Sequence, residues 1–370
     1  MNIDDILDKY EEREETQALS LAAQRERSRA ERRLQANEER DRARAELTKQ
    51  NHRDLASALE MSRKDSVEAM LHLPQVKGFE RGGTLVVQLS DLHFGATAHR
   101  DGRPPYRLET AAKRLRLYAQ KVIESALIKG TRNLVVALTG DLIESRMGKN
   151  MPDKTTGFDG CQTHAAQVAA HVIASFIQEL RASNLFDQIS IHGVPGNEAR
   201  LTDRVSFEDS LAAENYDCKL HAHLSWVFGS DPKVAIGFSV RPMVIQVEQL
   251  KVLLIHGNTL GGELSQRKIR ETLAQYGADF GLSGHIHYPY CCADWARSGS
   301  LIGECNYAAD GINLRSGRAS QTIIHFQGTR RDSTFIDLDD PGEIEGYTIP
   351  AFHGAFGRME DRSSQNLTAA

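Results

Sequence analysis

Five short apolar runs between residues 84 and 287, each ending in or leading to Asp, Asn or His, constrain this chain more than any other feature. TLVVQLS (84–90) leads into Asp91-Leu92-His93, and NLVVALTG (133–140) leads into Asp141. QISIHGV (188–194) precedes Pro195-Gly196-Asn197, KVLLIHG (251–257) carries His256, and DFGLSGH (279–285) continues through His285-Ile286-His287. Runs this short, apolar and rich in β-branched residues read as strands buried on both faces. Between them, ETAAKRLRLYAQKVIESALI (109–128) and HAAQVAAHVIASFIQELRAS (164–183) have helical periodicity. The alternation predicts an α/β core. After residue 288 the texture becomes strands and turns in SGSLIGE, SQTIIHFQ and STFIDLD, which predicts a further, antiparallel portion of sheet.

The polar ends of these runs carry the chemistry. Residues two apart in extended chain face the same way, so Asp91 and His93 lie side by side. In an open α/β sheet, ligands bind beyond the carboxyl ends of the strands, and here five runs point to one such place. A single DxH or GD pair is weak, because a lone strand histidine is more often a hydrogen-bonded core residue. The shared position makes the set specific. Imidazole nitrogen with carboxylate and amide oxygen, and no thiolate, suits Mn²⁺, Fe or Zn²⁺ at two adjacent sites. Two such ions about 3.5–4 Å apart hold a phosphate, activate a water and neutralise the charge that develops during in-line displacement.

In its order of DxH, GD, GN, a lone His and GHxH, the sequence resembles the calcineurin-like metallophosphoesterases over about residues 80 to 330. The resemblance implies an α/β fold of two packed mixed β-sheets flanked by helices. It places Asp91, His93 and His287 on one metal and Asn197, His256 and His285 on the other, with Asp141 bridging. It also implies two divalent ions, Mn²⁺ first with Fe or Zn²⁺ as alternatives, and phosphoester hydrolysis by a hydroxide between them. Within the family, SDLHFG, GHIH and the downstream SGSLIGE look like the exonuclease subunits of double-strand-break repair complexes. They look even more like phosphoesterases encoded by bacteriophages, which points to a phosphodiester substrate in DNA. A nucleotide or small-molecule phosphatase, or a cyclic-nucleotide phosphodiesterase, is the enzymatic alternative. A metal-binding assembly or regulatory protein with a degenerate site is the alternative from another class.

One position departs from the family. The residue after the Asn is usually a His that contacts the scissile phosphate, and here it is Glu198. A Glu at its ordinary pKa of about 4.3 is ionised at neutral pH and repels a phosphate. Three readings are open: a general acid with a raised pKa, a carboxylate on or behind a metal, or an attenuated catalyst. Glu198 and Asp141 are the candidate catalytic residues. Glu144, Arg146, Lys149, His164 and Arg200 are candidate substrate contacts, with Glu144 also read as an acid behind the metal site. The polar segment from 145 to 164 follows a ligand strand and is placed over the site. His221-Ala222-His223 has ligand-like spacing but reads as a surface pair on a strand or loop, and His171 reads as structural, as does His192 unless it, or His164, takes over leaving-group assistance from the missing histidine.

Organisation follows from composition. No Gly or Pro precedes Pro74, and both signs of charge alternate through QRERSRAERRLQANEERDRARAEL. Residues 1–75 therefore read as a charged helical arm for self-association into a homo-oligomer, or for a partner; 80–340 is the catalytic domain and 341–370 a loosely held tail. Acidic residues slightly outnumber basic ones in the arm, and the net charge of −5 provides no global attraction for nucleic acid. No run approaches the roughly 18 apolar residues of a membrane helix, and the acidic N-terminus is unlike a signal peptide, so a cytoplasmic location is expected. Five cysteines without CxxC spacing read as reduced.

Overall fold

The computed structural model describes residues 82–98, 105–145, 159, 161–201, 212–261, 264–303 and 317–351, together with Glu46 and Arg53. The expected arm, except for those two residues, and residues 352–370 lie outside the described set. In chain order the elements are β1 (Thr84–Leu89), α1 (Leu108–Lys129), β2 (Asn133–Leu138), α2 (Gln162–Ala182), β3 (Gln188–Gly193), α3 (Tyr216–Phe228) and β4 (Val234–Phe238). There follow β5 (Met243–Val247), β6 (Leu250–Leu254), α4 (Gln266–Tyr276), β7 (Phe280–Ser283), β8 (Tyr290–Cys292), β9 (Trp295–Arg297), β10 (Ser320–Gln327) and β11 (Arg330–Asp337).

Two mixed sheets result. The first has the order β11-β10-β1-β2-β3-β4, with β1 to β4 parallel and β10 and β11 added antiparallel at the β1 edge. The second has the order β5-β6-β7-β9-β8, in which β6, β7 and β9 are parallel and β5 and β8 antiparallel edges. Alternation along the strands sorts side chains between layers. Leu85, Val87 and Leu89 of β1 join Val136, Ile191 and the buried faces of α1, α2 and α3 in one core. Val86, Val135 and Ala137 point the other way, against Val252, Leu254, Phe280 and Leu282 of the second sheet. Leu253 and Trp295 form a third core with Ile269 and Leu273 of α4. This is the pair of packed mixed sheets flanked by helices that the sequence led us to expect. Among the described residues, no helix is long and apolar enough to cross a membrane.

Three expectations need correction. Residues 298–303 of SGSLIGE form a loop rather than a strand, because their polar groups are committed to the β1 end: the Leu301 N–H and the Ser300 hydroxyl both donate to the Asp91 carbonyl, at 3.0 and 2.9 Å. Buried Arg114 of α1 clamps the far side of that loop, donating to the carbonyls of Leu301 at 2.6 Å and Ile302 at 2.9 Å. His221 and His223 are not a surface pair: both are buried on α3, a helix started by Asn215, whose side chain accepts from the Asp217 N–H. Within the tail, residues 341–351 are described and part of them is packed: Tyr347 is buried under Arg116 and its hydroxyl donates to Glu179 of α2 at 2.7 Å.

Candidate metal centre

The carboxyl ends of β1, β2 and β3 in the first sheet and of β6 and β7 in the second converge, and each delivers donors. Their backbone is unusual. Among the described residues seven non-glycines have positive φ, and five of them are candidate donors: Asp91 (50°), His93 (47°), Asp141 (53°), His285 (74°) and His287 (61°). Left-handed backbone at such residues costs roughly 1–3 kcal/mol each and persists only where the surroundings impose it. Glycine is required where these turns touch. A Cβ on Gly196 would stand 2.0 Å from Asp141 Oδ1, and one on Gly284 would stand 2.2 Å from Asp91 Oδ2.

The donors fall into two groups. Asp91, His93 and His287 offer ligand atoms within 4.8 Å of one another, and so do Asp141, His256 and His285. In the first, His93 Nε2 lies 3.0 Å from His287 Nε2, and His287 Nε2 lies 3.4 Å from Asp91 Oδ1. In the second, His256 Nε2 lies 2.9 Å from Asp141 Oδ2 and 3.0 Å from Asn197 Oδ1, which adds Asn197 to the set. Asp91, His93, Asp141 and His256 are buried.

Groups behind the donors orient them. His93 Nδ1 donates to Glu144 Oε2 at 2.6 Å and His256 Nδ1 to the Thr139 carbonyl at 2.8 Å, so both Nε2 atoms turn their lone pairs inward. The Asp91 carboxylate accepts from the His285 N–H at 3.0 and 2.9 Å and from the Ser90 hydroxyl at 2.6 Å. The Glu198 N–H donates to Asp141 Oδ1 at 2.7 Å.

This arrangement calls for positive charge. With its Nδ1 proton on Thr139, a neutral His256 would aim its Nε2 lone pair at two oxygens about 3 Å away, Asp141 Oδ2 and Asn197 Oδ1. Three electron pairs converge there, and only a proton or a cation reconciles them. Without a metal, protons take that place. Burial works against charging the imidazoles, but Glu144, with Asp141 and Asp91, lifts His93 to about 9, and Asp141, with Asp91 and Thr139, lifts His256 to about 10. Burial likewise opposes ionising the carboxylates. The charge and hydrogen bond of His256, with help from His93, nevertheless hold Asp141 well below the usual carboxylate range, and the hydrogen bond and charge of His287 lower Asp91. His285 is pushed down by burial and by His256. Two buried carboxylates, four imidazoles and one amide oxygen fit divalent cations of intermediate hardness.

The remaining candidates lie at different distances from this centre. Glu144 stands behind His93. Arg200 Nε donates to the Asn197 carbonyl at 2.7 Å and so braces the ligand loop, and His164 Nε2 donates to the Pro350 carbonyl at 3.1 Å. Arg146 and Lys149 lie outside the described residues. Sequence reasoning missed Asp217, which is fully buried in the first turn of α3. Its carboxylate accepts from the N–H groups of Asp141 (2.9 Å), Leu142 (3.1 Å) and Gly196 (2.9 Å), tying the β2 and β3 ligand loops together. Burial and the charge of Asp141 push Asp217 up to about 7. Its nearest sequence signal is Asn215, whose Oδ1 caps α3 while its Nδ2 donates to the Gly196 carbonyl at 2.8 Å. Arg297 was also missed: it is buried, and its Nε donates to the Tyr288 carbonyl at 2.8 Å, beside His287.

No protein-family model matches the chain, and no curated protein matches it. Solved structures resemble it at low identity. Wild-type Vps29 complexed with Zn²⁺ from Entamoeba histolytica is 14% identical, with a TM-score of 0.32, over 69% of this chain and 99% of that one. A conserved uncharacterized protein from Streptococcus pneumoniae, described as a predicted phosphoesterase, is 12% identical over 71% of this chain and 92% of its own, with a TM-score of 0.31. A cold-active protein-tyrosine phosphatase from a Shewanella species is 13% identical over 70% and 83%, with a TM-score of 0.33. At such TM-scores, the metal centre rests on this chain's own side chains.

Proposed function

We propose that the chain is a divalent-metal-dependent phosphoesterase that hydrolyses phosphodiesters, with DNA as its substrate class. The observation that supports this best is the convergence of seven donor side chains, from five strand ends in two sheets, into two adjacent groups. Asp91, His93 and His287 would hold one cation; Asn197, His256 and His285 the other, with Asp141 shared. When bound, two divalent cations supply Lewis acidity toward a phosphoryl oxygen and lower the pKa of water.

The chain's own residues do the rest. Asp91 and Asp141 are the two carboxylates in the donor set, so they offset only part of the charge of two dications, and the remaining positive charge draws a phosphodiester anion. Glu144 and the Thr139 carbonyl fix the tautomers of His93 and His256 and make their Nε2 atoms better donors. Asp217 holds the Asp141 and Gly196 backbones at their close approach, which keeps the two ligand loops in register. DNA as substrate rests on the likeness of SDLHFG, GHIH and SGSLIGE to repair exonuclease subunits and phage phosphoesterases, and Mn²⁺ as the working metal on the same likeness.

The test is hydrolysis of linear DNA and of bis(p-nitrophenyl) phosphate by Mn²⁺-loaded full-length chain, with Asp141→Asn in parallel. Cleavage of both that falls at least ~10²-fold in the variant is the expected result. Turnover of phosphomonoesters alone would move the assignment to a nucleotide or small-molecule phosphatase. Bound metal with no turnover of any phosphoester would favour the metal-binding assembly reading.

A further inference from the structure

Asn197 differs from the other donors in having two ends of equal shape and opposite chemistry. Turned by half a rotation, its amide would present Nδ2 hydrogens, which repel a cation, in place of Oδ1, which binds one. For the amide, the group that decides between the ends is Glu198. Its Oε1 accepts from Asn197 Nδ2 at 2.6 Å, which leaves Asn197 Oδ1 directed inward, 3.0 Å from His256 Nε2. A carboxylate has no hydrogen to give, so it pairs with the nitrogen end alone. Glu198 is itself held by its backbone: its N–H donates to Asp141 Oδ1 at 2.7 Å, and its carbonyl accepts from the Ser145 N–H at 3.0 Å. From the next turn, Arg200 Nε holds the Asn197 carbonyl at 2.7 Å.

We propose that Glu198 is a positioning residue for the second cation: it fixes the Asn197 amide with its oxygen toward His256 and polarises that oxygen from behind. The inference rests on the two-cation reading above. It gives the Asn197 amide what Glu144 gives His93 and Thr139 gives His256, so that these three donors are each oriented by an acceptor on the far side. It also explains why a carboxylate is tolerated at this position: its charge is directed at an amide N–H.

The experiment is calorimetric titration of Mn²⁺ into metal-free full-length protein, comparing wild type, Glu198→Gln and Glu198→Ala. Glu198→Gln keeps the shape but pairs with either end of the amide, and its metal-free melting temperature serves as the check on folding. Wild type is expected to take up two ions. Both variants are expected to bind one ion as wild type does and the other about 10–100-fold more weakly, the usual cost of losing a group behind a ligand. Two ions bound as tightly in both variants as in wild type would overturn the inference while leaving the metal centre intact. Equal weakening of both ions would reduce Glu198 to a general electrostatic effect and overturn it too. A wild type that binds no ion would remove the two-cation reading and this inference with it.

Discussion

Asp217 carries no ligand atom, yet three backbone N–H groups of the ligand loops end on its buried carboxylate. Removing an acceptor that satisfies buried donors costs roughly 1–3 kcal/mol per stranded group. Asp217→Ala is therefore expected to destabilise the metal-free protein by about 3 kcal/mol or more, read from the urea midpoint, and to lower its Mn²⁺ affinity. A loss under about 1 kcal/mol would mean that the loops hold themselves. The contrast with the ligands is instructive. Asp91, His93, Asp141, His285 and His287 could be picked out as candidate donors because cation chemistry restricts donor types. The extended-chain spacing expected for Asp91 and His93 does not hold, however: all five sit in left-handed turns just beyond the strand ends. Asp217 acts on backbone atoms, which any residue supplies, so its partners leave no trace in the sequence. Glu198 lies between these cases: its departure from the motif pattern the sequence resembles stood out, but that it pairs with the neighbouring Asn197 amide emerged only from the structure.

At the scale of elements, β1, β2 and β7 were legible because they are buried along nearly their whole length and read as apolar runs, β6 because only Lys251 interrupts its run, and β3 because its isoleucines alternate with half-exposed Ser190 and His192. Partly exposed β4 and β5 lack that signature, and SGSLIGE resembles a strand while its hydrogen bonds go to the Asp91 carbonyl and Arg114. Helix α3 was missed because its polar residues disguise it. His221 is buried and stacked flat on Phe238, with ring centroids 4.4 Å apart, and His223 is buried nearby. Burial pushes His221 down to about 3; burial, with the charge of His171, pushes His223 down to about 4. Both lie below the ordinary histidine value of about 6.5, so the unfolded chain takes up protons that the folded chain refuses. Their contribution is fully present above pH 6.5 and is lost as pH falls toward 4. His93, His256 and Asp217, raised in the folded protein, pull the other way, so the contribution is read as a difference. Between pH 7 and 5 metal-free His221→Phe is expected to lose less stability relative to its own value at pH 7 than wild type does, while changing stability at pH 7.5 by less than about 1.5 kcal/mol. An unchanged acid slope in the variant would show that His221 does not titrate on unfolding.

At the scale of the whole molecule, the two sheets are needed together, since each supplies only part of the donors at the converging strand ends. Cations held by both should join them in one stability. A ligand at about 100 times its dissociation constant stabilises by about 2.7 kcal/mol, so chelation is expected to lower the melting temperature of the wild type and leave Asp141→Asn little changed. Equal chelator effects on both would place the stabilising ions elsewhere. The charged N-terminal arm belongs to this scale as well. We propose that residues 1–73 mediate self-association: their removal would then lower the particle mass measured by light scattering without loss of phosphodiester turnover, and an unchanged mass would contradict this. The α/β alternation and the end of the strands where the candidate donors gather were legible because apolar runs and helical periodicity extend along the chain, whereas the pair of packed sheets came from the family resemblance. The crossing from one sheet to the other was not legible, because it depends on which loops pack.

The central claim is that the two donor groups hold two cations side by side. Anomalous scattering from a crystal of Mn²⁺-loaded protein tests it most directly. Two peaks about 3.5–4 Å apart are predicted, one among Asp91, His93 and His287 and one among Asn197, His256 and His285, with Asp141 between them. A single peak, or none at these residues in protein that binds Mn²⁺ in solution, would contradict the account.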